Sequence, residues 1–281
     1  MKNQSLVALL LITTLLMPMF AQAGINNDVP SCYAANKLPV PAKAERELFV
    51  VIDQTTSFDS KLQNAIRENV SGLIKPGSAF VIADFSSFSQ GRYAEVLSAG
   101  TLEPTMPEKN RGDISVKLLN SFDACMHGQV KYGMKVAATA LNKSLSGTSS
   151  DLAKSDVLAS LKEISVRVKK SESKNKIIFI ASDMLENSSI SSFYAKQAVR
   201  QINPEKEIKL VTDNQMFGDF GGAKVYVIGA GLLAEDAKQA KGVYRSPKTM
   251  QALATFWKTW FQKSNAEVVE FGQPALLSPV H

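Results

Sequence analysis

Apolar residues along this chain follow two alternating rhythms. Leu48-Phe49-Val50-Val51-Ile52 is an unbroken run of strand length, whereas Phe58, Leu62, Ile66, Val70 and Leu73 recur every three or four residues. The first pattern predicts a buried strand over 47–52 and the second a helix over 58–73. Pro76-Gly77 marks a turn. Ser78 to Ala83 reads as a second strand ending at Asp84, and Gly91 to Thr101 alternates like an edge strand returning antiparallel. Residues 102–130 break the rhythm. Pro104, Pro107 and the charged Glu108-Lys109-Asn110-Arg111 read as an inserted excursion. Further helices are predicted over 131–145, 156–169, 190–202 and 249–263, and further strands over 176–181, 224–228 and 266–271. Ser146 to Lys154 is a Gly/Ser/Thr loop, and no internal repeat is visible. Because strand and helix alternate, the expected class is α/β: a doubly wound, mostly parallel central sheet with one antiparallel edge strand.

The first 23 residues stand outside that pattern. Lys2 is followed by a nearly all-apolar stretch from Leu6 to Phe20 and by Ala21-Gln22-Ala23, a small-x-small cleavage signal. The stretch is shorter than the roughly 20 residues a spanning helix prefers. It reads as a signal peptide (1–23); an uncleaved anchor is the alternative, and only that would tie the chain to a membrane. Gly24 after the cut, in place of cysteine, argues against a lipoprotein. The expected location is therefore exported, periplasmic or secreted. Cleavage leaves 258 residues and lowers the net charge from +6 to +5. That length suits one α/β domain over 47–275, preceded by a proline-rich N-terminal extension over 24–46. The basic residues are scattered without a nucleic-acid motif, so no nucleic-acid partner is expected. In an exported chain the even pair Cys32 and Cys125 suggests a disulfide; two buried free thiols are the alternative.

Chemistry concentrates where the first strand ends. Asp53, Thr55 and Ser57 fall on the strand-to-helix loop, and ligands of open α/β sheets bind at that end of the strands. A carboxylate with two alcohol oxygens suits a magnesium-class cation better than zinc or copper. Asp183 ends a second apolar strand, Lys176 to Ala181. Two carboxylates in one cleft repel each other unless a cation sits between them. Alternatively, each acid caps the helix that follows its strand.

The loop Asp53-Gln54-Thr55-Thr56-Ser57 resembles the Asp-x-Ser-x-Ser first loop of the von Willebrand factor A-type family, with Thr in place of the first Ser. Ser155 in Ser155-Asp156-Val157-Leu158-Ala159-Ser160-Leu161 is similar to the Thr of that family's second loop; Thr148 is the rival. Asp183 in Phe179-Ile180-Ala181-Ser182-Asp183-Met184 matches the third-loop Asp, but Met184 stands where the family usually has Gly. The resemblance covers roughly 47–271. It implies a Rossmann-like, von Willebrand A-type fold with a metal-ion-dependent adhesion site. Asp53, Thr55, Ser57, Ser155 and Asp183 would hold Mg2+ or Mn2+, and a partner protein's carboxylate would complete the shell.

Other motifs are weaker. Gly229-Ala230-Gly231-Leu232-Leu233-Ala234 matches a dinucleotide fingerprint, but it lies near the C-terminus with no acid about 20 residues on, and reads as a glycine turn leaving a strand. Arg111-Gly112-Asp113 reads as a solvated loop rather than an adhesion tripeptide. Phe256, Trp257, Trp260 and Phe261 recur at helical spacing and read as core packing. Neither a Gly-x-Ser-x-Gly elbow nor a phosphate loop is present. The expected function is thus a non-enzymatic, cation-dependent protein-binding module of the cell envelope. Alternatives are a structural or assembly subunit with a metal-free site and, third, a metal-dependent hydrolase.

Overall fold

The computed structural model describes residues 27–41, 43–89, 92–148, 155–195, 198–233 and 246–281. The signal segment, its cleavage site and the stretch after the glycine turn, Glu235 to Arg245, lie outside the described residues. A six-stranded sheet forms the centre: β1 (Arg46–Asp53), β2 (Ser78–Ser89), β3 (Arg92–Thr101), β4 (Asn175–Ala181), β7 (Ala223–Ile228) and β8 (Ala266–Phe271). A separate two-stranded ribbon joins β5 (Tyr194–Ala195) to β6 (Ala198–Val199). The order is β3-β2-β1-β4-β7-β8. All pairings in the six-stranded sheet are parallel except β2 with β3. This is the expected doubly wound α/β class with one antiparallel edge strand.

Period-two alternation decides which side chain faces which layer. Leu48, Val50 and Ile52 join Ile177, Phe179, Tyr226 and Ile228 beneath α2 (Ser60–Leu73) and α3 (Val116–Gly147). Phe49, Val51, Ile178, Ile180, Val225 and Val227 form the opposite core beneath α4 (Val157–Lys170), α5 (Pro204–Asp213) and α6 (Pro247–Lys263). Phe256, Trp257, Trp260 and Phe261 of α6 are fully buried there, as their spacing suggests. Among the described residues no helix is long and apolar enough to cross a membrane.

Three elements differ from the sequence expectation. The helix expected at 131–145 begins at Val116, capped by Ser115, and runs for 32 residues. Its first half buries Phe122 and Met126 against Cys32, Tyr33 and Met106. The short helix α1 (Cys32–Ala35) is tied to it by the Cys32–Cys125 disulfide. Second, the described residues of 190–202 form no helix. Ser188 and Ser192 instead accept the backbone N–H groups of Ile190 and Tyr194, an alternative to helical bonding that serine offers readily. The helix starts only at Asn203, which caps α5, with Pro204 in the first turn. Third, β2 does not stop at Asp84 but continues to Ser89, with Asp84 opposite Glu95 of β3.

Candidate functional site

The chain leaves β1 toward β2 on one side and later returns to β4 on the other. The β1–β4 junction is therefore the topological switch point, where open α/β sheets form their ligand crevice. Ile52 pairs with Ala181, so Asp53 and Ser182 leave adjacent parallel strands side by side. Asp53 continues the series Phe49, Val51, and Ser182 continues Ile178, Ile180, so both side chains point to the same face.

Asp53 is completely buried, and Asp183 is 3% exposed. Asp53 Oδ1 accepts the backbone N–H of Thr55 at 2.9 Å and the Thr55 hydroxyl at 2.6 Å. Its Oδ2 accepts Ser182 Oγ at 2.7 Å and, more weakly, Ser155 Oγ at 3.5 Å. Asp183 Oδ1 accepts Leu185 N at 2.8 Å, and its Oδ2 accepts the Tyr194 hydroxyl at 2.6 Å. Thr56 crosses between the loops, its Oγ1 accepting Asp183 N at 3.1 Å. Each aspartate thus closes an Asx turn onto the second residue after it. Neither caps a helix: α2 is capped by Asp59, and among the described residues no helix follows β4 before Pro204.

Burial raises the Asp53 carboxyl above its ordinary range, partly opposed by the hydrogen bonds from Thr55, Ser182 and Thr56. Asp183 is raised well above its ordinary range, first by burial and then by the charge of Asp53. The Tyr194 phenol is pushed up too, by burial and then by Asp183. The crevice therefore disfavours two negative charges and rewards a positive one placed between them.

Of the residues expected from sequence, Asp53, Thr55, Ser155 and Asp183 converge here. Ser57 is half-buried on the same loop, and among the described residues no hydrogen bond joins it to either carboxylate. The rival Thr148 donates its hydroxyl to Leu145 O at 3.0 Å, closing the end of α3. Thr56, Ser182 and Tyr194 were not foreseen. Ser182 carried a signal, a hydroxyl at a buried strand end, but Tyr194 lay in a segment that read as helix. The missing glycine also has a structural answer: Met184 adopts φ 56°, a left-handed conformation costing roughly 1–2 kcal/mol for a non-glycine residue. Its carbonyl accepts Trp257 Nε1 at 2.8 Å, which fastens the turn to α6.

Glu186 lies behind the site. Its Oε2 accepts Leu158 N at 2.9 Å and so serves the first turn of α4, where Asp156 at the cap position makes no capping bond. With Asn187 N donating to Ser155 O at 2.9 Å, it holds the second and third loops together. Gly229 adopts φ +101°, and a Cβ there would stand 2.9 Å from Phe58 and 3.0 Å from the Ser182 carbonyl. Gly231 N donates to Asp183 O at 2.8 Å. The glycine pair is thus a turn that backs the site. Arg111 pairs bidentately with Asp123 at 3.0 and 2.6 Å, so the adhesion tripeptide is folded onto α3.

Among the described residues no three His, Cys, Asp or Glu side chains gather as a metal cluster. The candidate donor set is instead two carboxylates and several hydroxyls, all oxygen. That fits a hard cation of the magnesium class, which keeps several waters, and does not fit zinc or copper.

No family model matches the chain, and no curated protein matches it in sequence. Among solved structures it is similar to an aerotolerance-related membrane protein from Bacteroides fragilis NCTC 9343 bearing multiple mutations to serines. The identity is 11%, over 81% of this chain and 92% of that one, with a TM-score of 0.33. It is also similar to the PilB minor pilin from Streptococcus sanguinis, with 14% identity over 81% of this chain and 63% of that one and a TM-score of 0.35. A third is the TFIIH p34 N-terminal domain, with 11% identity over 76% and 97% of the two chains and a TM-score of 0.27.

Proposed function

We propose that this chain is an exported, non-enzymatic binding module that takes Mg2+ or Mn2+ at the switch-point crevice and, through that ion, a protein ligand. The observation that carries the reading is the pair of buried carboxylates, Asp53 and Asp183, at the ends of adjacent parallel strands. Burial first and the charge of Asp53 second raise Asp183, and a divalent cation would offset both. Asp53 and Asp183 would supply the charge, and Thr55, Ser57 and Ser155 neutral oxygens. When bound, the ion supplies a Lewis-acidic centre for a carboxylate from the partner. Export rests on the N-terminal signal pattern and is consistent with the Cys32–Cys125 bridge.

A second reading, a structural subunit with a metal-free site, has its own support. Thr55, Ser182 and Tyr194 already hydrogen-bond the two carboxylates internally. Thermal melts with and without millimolar Mg2+ or Mn2+ separate the two. Binding to the native state alone stabilises it by about 2.7 kcal/mol at a hundredfold excess over Kd. The expected result is a rise in Tm for the natural chain and none for Asp53→Ala. Equal shifts in both proteins, or no shift in the natural chain, favour the metal-free reading.

A further inference from the structure

We propose that Tyr194 is a built-in plug of this site: its phenol closes the approach to Asp183, and a cation enters once that side chain has swung aside. The inference rests on the cation reading above and adds a residue that controls access to it. Tyr194 donates its hydroxyl to Asp183 Oδ2 at 2.6 Å, while Leu185 N holds Oδ1. Both carboxylate oxygens are thereby engaged, and the group is nearly sealed from water. Tyr194 itself is only half-buried, so part of its surface already meets solvent.

The backbone beside the plug is anchored. Phe193 is fully buried, with its ring centroid 5.0 Å from Phe256 and 6.4 Å from Trp257. Phe193 N donates to Glu186 O at 2.8 Å, and Arg200 N donates to Phe193 O at 2.7 Å. Arg200 also donates to Ser192 O at 2.9 Å and pairs with the buried Glu207 at 2.8 Å. Lifting the segment would break all of these contacts. Rotating one tyrosine about its side-chain bonds breaks a single hydrogen bond and lifts a half-buried ring from the edge of the core. A hydrogen bond to an ionised acceptor is worth on the order of tenfold to a hundredfold in an equilibrium. By that factor the plug weakens cation binding.

The test is a Mn2+ titration of the chain, followed by the electron paramagnetic resonance signal of the free ion, on the natural protein, Tyr194→Phe and Asp53→Ala. Melts in chelator check folding, with Tyr194→Leu as the substitute if the Phe variant fails. The expected result is Mn2+ binding at least tenfold tighter in Tyr194→Phe and absent in Asp53→Ala. Binding by Tyr194→Phe but not by the natural chain supports the plug and overturns the cation reading of the resting protein. Equal affinity in the two overturns the plug and leaves the cation reading standing. Weaker binding by Tyr194→Phe also overturns the plug, since the phenol would then orient Asp183 for the ion. No binding by either overturns both.

Discussion

Glu186 shows how much this site asks of single residues. Its carboxyl is pushed from 4.5 up to about 7 by burial, only partly opposed by the Ser188 hydroxyl and then by backbone N–H groups of α4, and its Oε1 is buried without a hydrogen-bond partner among the described residues. The folded chain therefore binds a proton that the unfolded chain releases near pH 4.5. Between that pH and about 7 the native state holds more protons than the unfolded state, so stability falls as pH rises. The contribution is complete below pH 4.5 and lost through pH 7, on the order of 3 kcal/mol. Asp53 and Asp183, also raised, add slope of the same sign in chelator. Glu186→Gln keeps an acceptor for Leu158 N without the charge. Urea melts across pH 4–8 in chelator should show a shallower decline for Glu186→Gln than for the natural chain. Parallel profiles would contradict this account of the residue.

At the scale of elements, the long helix α3 has two supports. Its second half packs on the sheet through Ala137, Ala140, Leu141 and Leu145. Its first half packs on the N-terminal segment, through Phe122 and Met126 and the disulfide to Cys32. Glu103 knits the same corner, accepting Cys32 N at 2.7 Å and Gln129 Nε2 at 3.0 Å. The disulfide closes a sequence separation of 93 residues, worth about 4–5 kcal/mol in the chain-entropy model. Reduction should therefore lower stability, with local loosening concentrated at this corner. Hydrogen exchange of the reduced protein should lose protection over 116–129 and 31–38 while β1 and β4 keep theirs. Uniform loss across the sheet would contradict the division. This half of α3 was hard to read from sequence because prolines and charges precede it and its buried face includes Gln129 and Gly133. The segment at 190–202 misled in the opposite direction. Its apolar spacing mimics a helix, but Phe193 is buried by the rings of α6 rather than by a helical face of its own.

For the whole molecule, the sheet was legible because its central strands are continuous apolar runs and its helices carry regular apolar faces. The site's first half was legible for a related reason: Asp53 and Asp183 each end such a run. The hydroxyls and the phenol that join them come from Thr56, Ser182 and Tyr194, whose roles depend on loops meeting across 127 residues or more in two of three cases. No local pattern encodes those meetings. The arrangement follows from topology, because the order β3-β2-β1-β4-β7-β8 places the chain's reversal at β1–β4. The proposed function requires a divalent ion at this junction. A crystal grown in millimolar Mn2+ and measured for anomalous scattering tests it most directly. The expected result is one anomalous peak bonded to carboxylate oxygens of both Asp53 and Asp183, at roughly 2.1 Å. Ordered electron density for both aspartates with no peak between them would contradict it.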